Sequence, residues 1–248
     1  MQHKSPTLLQ YLASWSVHLL TASGACLGLF TLLKIHQQHY VTALWLMGIT
    51  TVIDAVDGSL ARLAHVKTIL PGIDGALLDN IVDYLNYVIT PCFFLLVNPE
   101  LLPKEPAPLI VIIVSLASAY QFCQTDAKTA DHFFKGFPCY WNLIVFYMLL
   151  LHTAPWLNAL VVIICSILVF IPIKYVYPSR LDFVTSSAVV KKIIHGCSVL
   201  YGISTAILLF QYPKTNTFFM LLSLSYILLY LALSGWHTWV ARQNPLAL

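Results

Sequence analysis

The sequence predicts an all-α integral membrane protein of about eight transmembrane helices preceded by a short N-terminal surface helix. Three observations support this. Of the 248 residues, 59% are hydrophobic. Only 9% are charged, against roughly a quarter in a soluble domain. The apolar residues also gather into segments long enough to cross a bilayer, at about 20 residues per crossing. The chain is therefore expected to be a single membrane domain, 1–248, with no room for a second soluble one. Net charge is +3 and no basic run exceeds Lys191-Lys192, which sets aside a nucleic-acid partner.

Residues 7–17 place Leu8, Leu12 and Trp15 on one stripe, with Gln10, Ser14 and Ser16 elsewhere, the pattern of a helix lying in the membrane surface. Apolar segments follow at 18–35, 40–62, 76–97, 107–125, 139–152, 156–175, 190–210 and 216–238, the fifth being short. The first is expected to be a retained span, not a signal peptide, because its apolar run continues past Ser23-Gly24-Ala25-Cys26 to Leu33. The stretch 98–108 holds four prolines and both glutamates and reads as a connector.

Basic loops are retained in the cytoplasm. With the N-terminus inside, the inner side collects Lys4, Arg62, Lys67, Lys128, Lys135, Lys174, Arg180, Lys191, Lys192 and Arg242, and the outer side Lys34, Lys104 and Lys214. Both termini are thus expected in the cytoplasm. The six cysteines stand singly, with no metal-type spacing, and read as small core residues.

Of ten acidic residues, Asp54, Asp57, Asp74, Asp79 and Asp83 fall within thirty positions. An aspartate near a span's centre costs about 2.5–3.5 kcal/mol on insertion scales, so a group of them calls for a function. Asp54, Asp57 and Ala61 share one helical face at i, i+3 and i+7, with Gly58 beside them; Gly75, Asp79 and Asp83 form a stripe at i, i+4 and i+8. Two antiparallel spans joined by a cytoplasmic turn would point four carboxylates at one another. Oxygen-only ligands select hard divalent ions such as Mg²⁺ or Mn²⁺. Two such ions about 4 Å apart clamp a displacement at phosphorus. Gly58 and Ala61 leave the helix approachable, and Arg62 stands where it can pair with phosphate. Asp74, just before the third span, suits a helix N-cap.

These residues resemble the signature of the CDP-alcohol phosphotransferases, Asp-x-x-Asp-Gly-x-x-Ala-Arg, a spacer, then Gly-x-x-x-Asp-x-x-x-Asp. Here it is Asp54, Asp57, Gly58, Ala61, Arg62, Gly75, Asp79 and Asp83. The spacer, residues 63–74, is longer than the family's usual one. That length, with the stretches GIDGALLDNIVDYLNYV (72–88) and FFKGFPCYWN (133–142), is similar to the bacterial branch that uses choline. The resemblance implies transfer of a phosphatidyl group from CDP-diacylglycerol to choline, giving phosphatidylcholine and CMP. It implies Asp54, Asp57, Asp79 and Asp83 as ligands of two Mn²⁺ or Mg²⁺ ions, with Asp83 also the base for the acceptor hydroxyl. It assigns Gly58, Ala61, Arg62 and Gly75 to CDP-diacylglycerol. It further implies a homodimer in a bacterial inner membrane, with the site at the cytoplasmic face.

Other readings stay open at this stage. Serine or glycerol phosphate could be the acceptor, and a cation transporter also places acids in a membrane. Transport sites, however, lie near the midplane between repeats, and no repeat is visible. A quaternary ammonium has no N–H to donate, so choline would be held by aromatic faces, each worth about 0.5–2 kcal/mol. The candidates are Tyr84, Tyr87, Tyr140 and Trp141, with Tyr175 and Tyr177 behind them.

Overall fold

The computed structural model describes residues 6–129, 131, 133–176, 185 and 187–243, with the backbone alone at Arg242. Lys4, Tyr177, Arg180 and the Arg242 side chain, used above, lie outside the described residues. The chain groups into two units, Met1–Pro99 with Trp141–Phe146, and Glu100–Tyr140 with Tyr147–Leu248.

In the first unit, α1 (Leu8–His36) opens with a capping box: the Thr7 hydroxyl accepts the Gln10 N–H at 3.3 Å, and Gln10 Oε1 accepts the Thr7 N–H at 2.8 Å. No Gly or Pro interrupts the chain near Val17. The expected surface segment and the first span are therefore one continuous helix, not two elements. α2 (Tyr40–Leu63) packs antiparallel to it. A left-handed His65 (φ 49°) then turns the chain into the short α3 (Val66–Ile69).

The third span runs from Gly75 to Val97. Asp74 caps it as expected, its carboxylate accepting the Ala76 and Leu77 N–H groups at 3.0 and 3.1 Å. Its course is α4 (Gly75–Asp83), a π-helical stretch Tyr84–Ile89, and α5 (Thr90–Val97). Pro91 cannot donate to the carbonyl four residues back, that of Tyr87, and the wider turn takes up the ring. Gly24 and Gly28 of α1 face this span. A Cβ at Gly24 would stand 2.7 Å from Val82 Cγ1, and one at Gly28 would stand 2.8 Å from Asn86 Oδ1. The small-x-x-x-small pair thus lets the two helices approach closely. Asn86 seals the contact by donating to the carbonyls of Gly24 and Val82, both at 3.0 Å.

The second unit holds α6 (Ala107–Cys123), β1 (Phe133–Lys135), α8 (Pro155–Leu168), β2 (Lys174–Val176), α9 (Ala188–Gln211) and α10 (Thr217–Gln243). α7 (Trp141–Leu151) begins in the first unit and ends in the second. Residues 156–175 are not one helix as expected. α8 stops at Leu168, ahead of Pro172, and the chain forms β2, which pairs antiparallel with β1 in the register Phe134 to Tyr175. Two hydroxyls of α10 satisfy the strand: Ser234 accepts the Val176 N–H at 3.1 Å and Thr238 accepts the Lys174 N–H at 2.8 Å. Gly136 sits at φ +79°, and a Cβ there would collide with the Val169 carbonyl. Lys174 pairs with Asp131 at 2.5 Å. Burial pushes the Asp131 carboxyl up, but hydrogen bonds from Lys174 and Thr129 outweigh it and hold the group below the usual range.

Among the described residues, five segments are long and apolar enough to cross a membrane: Leu8–His36, Tyr40–Leu63, Gly75–Val97, Ala188–Gln211 and Thr217–Ala241. The shorter α6, α7 and α8 stand where the fourth to sixth spans were expected. At 1.5 Å per residue, the 11 residues of α7 extend about 17 Å, roughly half a hydrocarbon core. All six cysteines are free; Cys92 and Cys139 are buried as expected, whereas Cys26 and Cys123 lie exposed on helix faces.

Candidate active site

All the motif residues belong to the first unit. The α2 face carries Asp54, Asp57, Gly58, Ala61 and Arg62; α4 begins at Gly75 and carries Asp79 and Asp83. Carboxylate oxygens of Asp54, Asp57 and Asp79 come within 4.8 Å of one another. Asp83 borders the same enclosed space of about 10 Å³, with Thr21, Thr50, Asn86 and Tyr87 among its other walls, room for about one water-sized body. Asp57 is buried, at 6% exposure. Carboxylates this close repel one another unless a cation sits between them. An all-oxygen donor set of this kind suits a hard divalent ion.

Two neutral hydroxyls reach this cluster. Thr21 of α1 donates to Asp57 Oδ2 at 2.8 Å, and Tyr87 of the π-helical stretch donates to Asp54 Oδ2 at 2.6 Å. Thr21 lies one turn before Gly24 on α1, which packs along α2, the helix that carries Asp57.

A larger cavity of about 780 Å³ adjoins the cluster, sharing Thr21, Asp57 and Asp79 with the small space. That is within the range of small-molecule sites. Gly58, Ala61, Arg62 and Gly75 all line it, together with His65 and Lys67. A Cβ at Gly58 would meet only Arg62 Nη1, at 3.6 Å, so the backbone there stays open to a ligand. Arg62 is exposed and donates to Ser59 Oγ at 2.9 Å. Gly75 has a second reason to be glycine: a Cβ would come within 3.1 Å of His18 Cε1. His18, also a cavity residue, is buried, and its Nε2 has no hydrogen-bond partner.

Of the four aromatic candidates, Tyr87 lines the small space. Tyr84 is half-buried at the start of the π-helical stretch, and Trp141 is fully buried at the start of α7. Tyr140 belongs to the second unit, as does Tyr175, buried in β2. Sequence reasoning missed His18 and Thr21. The available signal was polar and small residues at 18, 21, 24 and 28 on one stripe of an otherwise apolar helix.

Comparison with known proteins places this geometry in a family. The family model described as CDP-alcohol phosphatidyltransferase matches residues 15–171. The chain is 61% identical to the phosphatidylcholine synthase of Legionella pneumophila, over 94% of this chain and 91% of the relative. It is 59% identical to that of Legionella bozemanae, over 87% and 99%. With the phosphatidylcholine synthase of Borreliella burgdorferi it shares 42%, over 69% and 73%.

Proposed function

The chain belongs to the CDP-alcohol phosphatidyltransferase family, and we propose that it transfers the phosphatidyl group of CDP-diacylglycerol to choline, giving phosphatidylcholine and CMP. The relatives named above support this reading by their shared name and by identities of 42 to 61%. The observation that carries it is the junction of a three-aspartate cluster with a 780 Å³ cavity lined by every residue assigned to the nucleotide donor.

The family is one that uses divalent metal ions, and the oxygen donors present fit them. Asp54, Asp57, Asp79 and Asp83 would hold two Mn²⁺ or Mg²⁺ ions, which supply charge neutralisation for the diphosphate and for departing CMP. The chain's own groups do the rest. Arg62 pairs with a phosphate oxygen of the donor at the cavity wall, while Gly58 and Ala61 let the head group approach the backbone. Asp83 accepts the proton of the choline hydroxyl as that oxygen forms its bond to the phosphorus nearer diacylglycerol; the bond from that phosphorus to the bridging oxygen breaks, and CMP leaves. The choline cation rests on aromatic faces in the first unit, with Tyr87 best supported because it lines the carboxylate space and Tyr84 and Trp141 as further candidates.

The protein is a multi-pass membrane protein. The excess of basic residues on one side supports cytoplasmic termini and a cytoplasmic-facing site in a bacterial inner membrane. The family resemblance supports a homodimer, and the sequence supports a single catalytic domain. The test is incubation of purified protein and Mn²⁺ with CDP-diacylglycerol and, separately, choline, serine, inositol and glycerol phosphate. Phosphatidylcholine and CMP are expected with choline alone; a different lipid, or no CMP release, overturns the proposal.

A further inference from the structure

Two of the clustered carboxylates, Asp54 and Asp57, each have one oxygen bound by a neutral hydroxyl from a different helix. Tyr87 Oη donates to Asp54 Oδ2 at 2.6 Å, and Thr21 Oγ1 donates to Asp57 Oδ2 at 2.8 Å. Neither donor belongs to the signature motif. Tyr87 sits in the π-helical stretch Tyr84–Ile89, whose wider turns re-aim it relative to an unbroken α-helix running on from Asp79 and Asp83. Thr21 stands on α1 where that helix packs along α2, the helix of Asp57.

We infer that Thr21 and Tyr87 are positioning residues for the divalent-metal site. Each fixes the rotation of one aspartate and occupies part of one oxygen, so that the remaining lone pairs converge on the space between Asp54, Asp57 and Asp79. A neutral donor suits this task better than a lysine or arginine. It orients the carboxylate without cancelling the charge that attracts the cation. Outer-sphere hydrogen bonds of this kind typically change metal affinity about 10–100-fold when removed. The inference rests on the metal-site reading above and adds the two hydroxyls to it. It also divides the work of Tyr87: the ring serves the choline cation and the hydroxyl serves Asp54.

The test is Mn²⁺ titration of the purified full chain in nanodiscs, without donor or choline, following the loss of the free-ion electron paramagnetic resonance signal. Tyr87→Phe and Thr21→Val should each weaken Mn²⁺ binding about 10–100-fold, and Thr21→Ser should restore it. Thermal unfolding in chelator should show all variants folded. Parent-like Mn²⁺ affinity in both Tyr87→Phe and Thr21→Val overturns the inference while leaving the metal site standing. Equal weakening in Thr21→Ser and Thr21→Val overturns the hydroxyl's part in it. Failure of the parent protein to bind Mn²⁺ overturns the metal-site reading, and this inference with it.

Discussion

Gly24→Ala tests whether the approach of α1 to the third span is what builds the site. The added Cβ would lie 2.7 Å from Val82 Cγ1, about 1 Å inside ordinary carbon contact. Val82 cannot swing aside, because a β-branched side chain in a helix has essentially one rotamer. The helices must separate instead. An opening of about 1 Å takes the 3.0 Å bond from Asn86 to the Gly24 carbonyl beyond hydrogen-bonding range. Overpacking costs about 1–3 kcal/mol and the lost interhelical bond about 0.6. The helix-propensity gain of alanine over glycine offsets about 1. The net is about 0.6–2.6 kcal/mol of destabilisation. At about 2–4 °C per kcal/mol for a chain of this size, the apparent unfolding midpoint falls by about 1–10 °C. Gly202→Ala in α9 is the control: a Cβ there meets nothing within 4 Å, so only the propensity gain remains and the midpoint should rise by a few degrees. Phosphatidylcholine synthesis should fall in Gly24→Ala, because Thr21 moves with its helix, and hold in Gly202→Ala. If the two variants have the same midpoint and the same activity, the close-approach reasoning is wrong.

Asp57→Asn and Asp79→Asn should each lower turnover by about 10²–10³-fold, the equivalent of about 3–4 kcal/mol of lost charge stabilisation. In chelator both should unfold no lower than the parent protein, since an amide oxygen at position 57 can still accept from Thr21 and the carboxylate crowding is relieved; a lower midpoint in either variant would mean that the cluster is structural. Asp83→Asn should cost about 10²–10⁴-fold in kcat, as loss of a general base does, while CDP-diacylglycerol binding measured by displacement of a labelled donor stays within a few fold. Equal losses would make Asp83 chiefly a ligand. Arg62→Lys keeps the charge but loses the planar fork, so the apparent Michaelis constant for CDP-diacylglycerol should rise about tenfold; an unchanged constant would reduce Arg62 to a membrane-surface anchor.

The apolar segments and the aspartate motif were legible because both are local patterns. Hydropathy marks where helices form, and i, i+3 and i+4 spacing decides which side chains share a face. What stayed hidden depends on contacts distant in sequence. β1 and β2 are three residues each, too short for alternation to register within apolar surroundings, and Pro172 was the one local sign that the helix expected over 156–175 stops early. The π-helical stretch left only Pro91 as a sign, and a proline can be absorbed in several ways. Thr21 is an ordinary threonine in an apolar helix until α1 packs against α2 and its hydroxyl meets Asp57. Gly24 and Gly28 have readable spacing, but nothing in their neighbourhood names Val82 and Asn86 as the surfaces they meet.

The faces of α2 explain how a two-chained lipid can reach buried carboxylates. Val52, Val56, Leu60 and Leu63 are exposed along one side of the helix, at spacings of four, four and three, an apolar stripe suited to acyl chains. Asp54, Asp57, Gly58 and Ala61 lie between these positions in sequence and on another face of the helix, where Asp57 meets Thr21 and Asp54 meets Tyr87. In the proposed reaction, a donor lying along the stripe would keep its tails in hydrocarbon while its diphosphate reached round the helix to Asp57 and Asp79. Those two residues border both the small space and the 780 Å³ cavity. Phosphates held there would leave the nucleoside the wider room of the cavity, toward His65 and Lys67. One helix thus separates an apolar stripe from a carboxylate face by rotation about its axis.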